Sequence, residues 1–149
     1  MSNTYLYILM ALAAGAMMPT QAATNNKMAM VVESPVLSAF ISFAVGTIAL
    51  FVYLLISGVP LGNLASVREA PAIAWIGGFL GAFFVASAVT LVPRLGVAMT
   101  FSLIIAGQML VTLLIDHFGL LGVPVKEVSI ARLGGIALIT AGVVLIRRF

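Results

Sequence analysis

Apolar residues run along this chain in five long stretches, separated by short clusters of proline, glycine and charge. The stretches cover about Thr4–Ala23, Val36–Ser57, Ala72–Val92, Val97–Asp116 and Val128–Ile146. A helix needs about 20 apolar residues to cross the hydrocarbon core of a bilayer. The first four stretches meet that length. The fifth is clearest from Ala131 to Ile146 and extends back to Val128 if Arg132 snorkels to the interface. The pattern predicts an all-α membrane protein with five transmembrane helices in one domain over residues 1–149.

Each break has a mechanism. Ser34-Pro35 starts the second helix, because proline is tolerated in a first turn, and Gly58, Pro60 and Gly62 end it. Pro71 opens the third helix and Pro93 closes it. Gly119, Gly122 and Pro124 end the fourth. The connection between the third and fourth is about four residues, which makes them antiparallel neighbours. Pro19 lies inside the first stretch and should kink or end that helix. No Lys or Arg precedes the first stretch, and Gln21-Ala22-Ala23 is not an A-x-A cleavage site, so it reads as a membrane helix rather than a signal peptide.

Composition agrees with the bilayer as solvent. Of 149 residues, 63% are hydrophobic and 7% charged, too little charge to cover a water-facing surface. The sequence pI of about 9.8 comes from seven Lys and Arg against four Asp and Glu, scattered with no basic face, so no nucleic-acid partner is expected. Cysteine is absent, which excludes disulfides and thiolate sites.

Five spans put the termini on opposite sides. Arg68, Lys126 and Arg132 then fall on one side, and Lys27, Arg94, Arg147 and Arg148 on the other. That near balance hardly biases insertion by the positive-inside rule. Two arrangements stay open: an orientation fixed by the insertion machinery or a partner, and insertion both ways with pairing to an inverted copy. Small residues recur on single faces at Ser38, Ser42 and Gly46, at Gly77 and Gly81, and at Ala131, Gly135 and Gly142. Such stripes let helices approach in lipid, within a protomer or between copies.

Ionisable groups inside membrane segments are functional candidates by default. Asp116 and His117, at the end of the fourth helix, qualify most clearly. The C-terminal end of a helix and a nearby hydrocarbon boundary both disfavour a charged carboxylate. A partner such as Arg132, Lys126 or His117 would oppose that. Asp116 reads as a proton- or cation-responsive group or as an interfacial acid that pins helix ends. One His beside one carboxylate offers too few ligands for a metal. Gln108, Thr112 and Asp116 follow at steps of four and make a polar stripe on an apolar helix. Gln21 and Asn25 lie four apart beyond Pro19 and share a face if the first helix continues; otherwise they belong to a solvated loop. Trp75 lies near a span end, where aromatic belts form or a ligand is met. There is no nucleophile–base pair, no phosphate-binding glycine loop and no paired carboxylates, so no enzyme and no cofactor are expected.

Several segments carry a family resemblance. They are PTQAATN (Pro19–Asn25), SPVLSAFISFAVGT (Ser34–Thr47), WIGGFLGAFFV (Trp75–Val85), LVPRLGVA (Leu91–Ala98), AGQMLVTLLIDHFGLLGVP (Ala106–Pro124) and the glycine-aliphatic close from Gly134 to Ile146. In this order they resemble the YdcZ-type inner-membrane exporters of the drug/metabolite transporter superfamily.

The resemblance implies a multi-pass protein of the bacterial inner membrane that exports a small metabolite or drug-like solute. That superfamily includes ten-helix transporters built from two inverted five-helix halves, and four-helix multidrug exporters that act as antiparallel dimers. A five-helix chain would therefore be one half, completed by an antiparallel homodimer in the lipid bilayer. The small multidrug exporters carry a Glu in helix 1; this chain has only Gln21 and Asn25 there. Alternating access would use Gln21, Asn25, Gln108, Thr112 and Trp75 for the substrate, with Asp116 and His117 for proton or ion coupling. The alternatives are a non-transporting membrane subunit, a channel and a lipid-handling protein.

Overall fold

The structure, a computed structural model, describes residues 3–148, and every regular element among them is helical. Its long helices are α1 (Thr4–Val32), α2 (Pro35–Ser57), α3 (Ile76–Leu95), α4 (Val97–Phe118) and α5 (Ile130–Arg148). All five are long and apolar enough to cross a membrane, α3 being counted with the 3₁₀ turn Ala72–Trp75 that leads into it. The chain divides into two compact units, Met1–Pro93 and Arg94–Phe149.

In the first unit α1 and α2 pack as a hairpin with a two-residue turn. Ser34 is extended and its Oγ accepts the Leu37 N–H at 3.2 Å, while Pro35 takes the first helical position. This cap satisfies one of the donors that a helix start leaves open. Gly58 ends α2 in the left-handed region at φ +69°.

α1 departs from the sequence expectation. It runs through Pro19 and ends at Val32, nine residues past Ala23. Proline there removes only the bond that the Gly15 carbonyl would accept. Ending the helix in hydrocarbon would leave several more groups unpaired, so the ladder continues. The polar run Thr24–Lys27 is therefore helix, held by packing on α2, and Gln21 and Asn25 sit on regular helix rather than in a solvated loop. Pro93 likewise does not close α3, which continues to Leu95 before Gly96 at φ +78°.

The core of this unit is small and built from small side chains. Ala29 of α1, Ala39 of α2, and Val85 and Val89 of α3 form one buried cluster, with Phe84 and Ala86 against it. A Cβ on Gly81 would stand 3.4 Å from the Phe43 ring, an ordinary van der Waals contact, so α3 meets the α2 ring there with room for a methyl group. Between α2 and α3 the segment Leu61–Glu69 is a nine-residue 3₁₀ helix. At three residues per turn, Leu61, Leu64 and Val67 share one edge while Asn63, Ser66 and Glu69 share another.

In the second unit α4 packs along α5. Gly119, at φ +59°, ends α4 and returns its N–H to the Ile115 carbonyl. A 3₁₀ turn, Leu120–Gly122, follows. The Lys126 N–H then donates to the Asp116 carbonyl at 2.8 Å, tying the loop to the end of α4. Carbonyls in the last turn of a helix have no partner of their own, and this loop supplies them.

The glycine stripes are only partly occupied. A Cβ on Gly46, Gly77, Gly78, Gly135 or Gly142 would meet nothing within 4 Å.

Candidate functional site

Two places bring sequence-selected polar residues together, one in each unit. The first is a cleft of about 580 Å³ on the α1–α2 hairpin. Its polar lining is Thr20, Gln21, Thr24, Asn25 and Ser42; its apolar lining is Ala13, Ala16 and Met17. From Ala13 to Asn25 the cleft follows α1 for about 18 Å, at roughly 1.5 Å per residue.

Local bonding fixes what each group can offer. Thr20 Oγ1 donates to the Ala16 carbonyl at 2.9 Å. Thr24 Oγ1 is within 2.9 Å of the Gln21 carbonyl and 3.1 Å of the Thr20 carbonyl. Both hydroxyl protons are thus spent within the helix, and their lone pairs remain as acceptors. Ser38, 0% exposed, donates its Oγ to the Asn25 backbone carbonyl at 2.6 Å. That bond locks α2 against α1 one turn after the hairpin. The Asn25 side chain is itself buried, 9% exposed, and its Nδ2 has no partner. Buried amide donors are almost always paired, so an unmet one on a residue of the cleft lining is a signal. Thr100 Oγ1 is the other buried side-chain atom without a partner among the described residues.

The second place is a groove of about 270 Å³ between α4 and α5. Met109, Leu113, Ile136 and Ile139 form its apolar walls, with Thr112, Asp116, Arg132 and Gly135 completing it. Arg132 Nη1 lies 3.1 Å from Asp116 Oδ2 and also donates to the Lys126 carbonyl at 3.3 Å. The Arg132 and Asp116 side chains are 34% and 26% exposed. A guanidinium at this point also faces the negative end of α4. Asp116 is therefore held by a cation and a loop together: its side chain by Arg132, its carbonyl by Lys126.

The family model described as "Putative inner membrane exporter, YdcZ" matches residues 6–145. The chain belongs to that family. It is thus a multi-pass protein of the inner membrane, of a transporter family rather than an enzyme family. Comparison with curated proteins and with solved structures gives no match.

Of the seven residues read from the sequence as a site, four fall in the two places. Gln21 and Asn25 meet in the cleft, and Thr112 and Asp116 line the groove. Gln108 is exposed and lines neither: the groove takes in Thr112 and Asp116 of its stripe and does not reach the turn before them. Trp75 is 63% exposed on the 3₁₀ turn before α3 and also lines neither. His117 is exposed; its Nδ1 accepts the Val128 N–H at 3.3 Å, and its ring stands edge-on to Phe118 at 4.8 Å. It serves the loop rather than the groove. Among the described residues no group of three His, Cys, Asp or Glu could hold a metal ion.

Sequence reasoning did not assign Thr20, Thr24 and Ser42 to the cleft. The signal was present: Thr20 and Thr24 repeat the four-residue spacing of Gln21 and Asn25 one position earlier, and Ser42 lies in the α2 small-residue stripe.

Proposed function

We propose that the protein exports a small solute by alternating access, as an inverted homodimer in which each copy supplies one five-helix half. The observation that carries this reading is the α1–α2 cleft, an open recess on an apolar hairpin with five polar residues in its lining, one of them the buried Asn25 whose Nδ2 has no partner. The near balance of Lys and Arg between the two sides supports the inverted pair. So do the unoccupied glycines, which leave close-approach surfaces on α2, α3 and α5.

Coupling through Asp116 takes a narrower form. Protonating its carboxylate would remove the partner of Arg132 and loosen the clamp on the α4–α5 loop. In proteoliposomes with an imposed pH gradient, Asp116→Asn is then expected to abolish gradient-driven flux while leaving downhill exchange. Unchanged gradient-driven flux in a folded Asp116→Asn protein refutes this coupling.

The odd number of spans gives a direct test of the inverted pair. Two copies joined tail to head by a short polar linker must insert in opposite orientations. Such a tandem is expected to transport. A tandem with one extra transmembrane span between the copies forces a parallel pair and is expected to be inactive. Equal activity in both tandems contradicts the reading.

A further inference from the structure

The chemistry of the α1–α2 cleft restricts the solute it can take. Every polar group on the lining is uncharged: two carboxamides, Gln21 and Asn25, and three hydroxyls. A charged solute leaving water for this recess would find no countercharge there, and an unpaired charge in a low dielectric is far costlier than an unpaired amide. An uncharged polar solute gives up only hydrogen bonds, which the lining can replace. The donor and acceptor pattern is also specific. Thr20 and Thr24 face a ligand as acceptors, because their protons go to helix carbonyls. The Asn25 Nδ2 is a donor with no acceptor of its own. Its burial and its missing partner are independent of the charge count along the lining.

The geometry points to an uncharged, hydrogen-bonding solute in this cleft, such as a carboxamide or a polyol, whose oxygen takes the Asn25 N–H when that side chain turns out of its buried position. This rests on the transporter reading above and names the substrate class of that same site. The solute donates in turn to the threonine hydroxyl oxygens, while Met17 and the alanines pack on its apolar part. Ser38 is not a ligand group here; it holds the Asn25 backbone from behind.

The test uses the full-length protein in proteoliposomes with four labelled probes. Nicotinamide and ribitol are uncharged, tetraphenylphosphonium is a cation and benzoate an anion. Saturable flux of an uncharged probe is expected, with neither charged probe carried. Asn25→Leu should lower that flux by roughly five- to 150-fold, the range for leaving the ligand's buried hydrogen-bonding group unpaired. Asn25→Asp keeps the shape and introduces an acid. It should lose the uncharged probe and gain tetraphenylphosphonium, and this gain of function guards against a Leu variant that fails to fold. Saturable transport of a charged probe alone by the unaltered protein overturns the substrate class and leaves the transporter reading standing. Uncharged flux untouched by both Asn25 variants places the site elsewhere and overturns the proposal. No saturable flux of any probe counts against the transporter reading and removes the proposal with it.

Discussion

Ser38 is the point at which the hairpin that carries the cleft is most sensitive. It is fully buried, and its hydroxyl meets the Asn25 carbonyl at 2.6 Å. Ser38→Ala removes one interhelical hydrogen bond and little volume. The Asn25 carbonyl still accepts within the α1 ladder, so nothing is orphaned. Interhelical bonds in membranes contribute about 0.6 kcal/mol on average and about 1.7 at most, which sets the expected loss. Ser38→Leu adds a bulky side chain beside Ala39, in the layer where Ala29 and Ala39 form the core. Overpacking costs about 1–3 kcal/mol beyond the lost bond, so the leucine variant should lose about 2–4 kcal/mol in total. Unfolding in mixed micelles, followed by the fluorescence of Trp75, the chain's one tryptophan, measures both variants in the same unit. If Ser38→Leu is as stable as Ser38→Ala within about 0.5 kcal/mol, α1 and α2 do not meet closely at this residue. The placement of Asn25 then fails with it.

Two further outcomes concern the α4–α5 loop. A double-mutant cycle on Asp116→Ala and Arg132→Ala should give a coupling of about 1 kcal/mol, between the values for exposed and buried pairs, because both side chains are partly exposed; coupling below about 0.3 kcal/mol refutes the clamp. Gly119→Ala places a Cβ 2.7 Å from Val125 Cγ2 on a backbone at φ +59°, so it should destabilise by about 2–3 kcal/mol. Adding Val125→Ala should recover the steric share and leave about 1 kcal/mol of backbone cost; a neutral Gly119→Ala contradicts the tight turn.

Much of the fold was legible because hydrocarbon permits few solutions. Apolar runs of span length must be helical there, and Ser34-Pro35, Gly58 and Gly119 mark helix ends through capping and positive φ, chemistry that a sequence displays. The reach of α1 was not legible. Thr24–Lys27 reads as loop by polarity, and only the contact of Asn25 with Ser38, thirteen residues away, shows why it stays helical. Pro19 misleads for a related reason, since the lipid around a span raises the cost of breaking it. For the site, spacing put Gln21 with Asn25 and Thr112 with Asp116. It could not choose among Arg132, Lys126 and His117 as the partner of Asp116, because that depends on how an eleven-residue loop folds back. Spacing also joined Gln108 to Thr112 and Asp116, but it does not say how far along the stripe a groove extends, and Trp75 sits on a 3₁₀ turn outside both places.

The inverted pair is tested most directly by the sidedness of the two turns that flank α2. The chain has no cysteine, so single cysteines at Glu33 and Ser66 report without interference. They lie at opposite ends of one span and should label from opposite sides in any one copy. With a membrane-impermeant maleimide on intact and on opened vesicles, each position should react about half from either side. Reaction of Glu33→Cys from one side only, and of Ser66→Cys from the other only, in a complex that holds no second polypeptide, would contradict the inverted dimer.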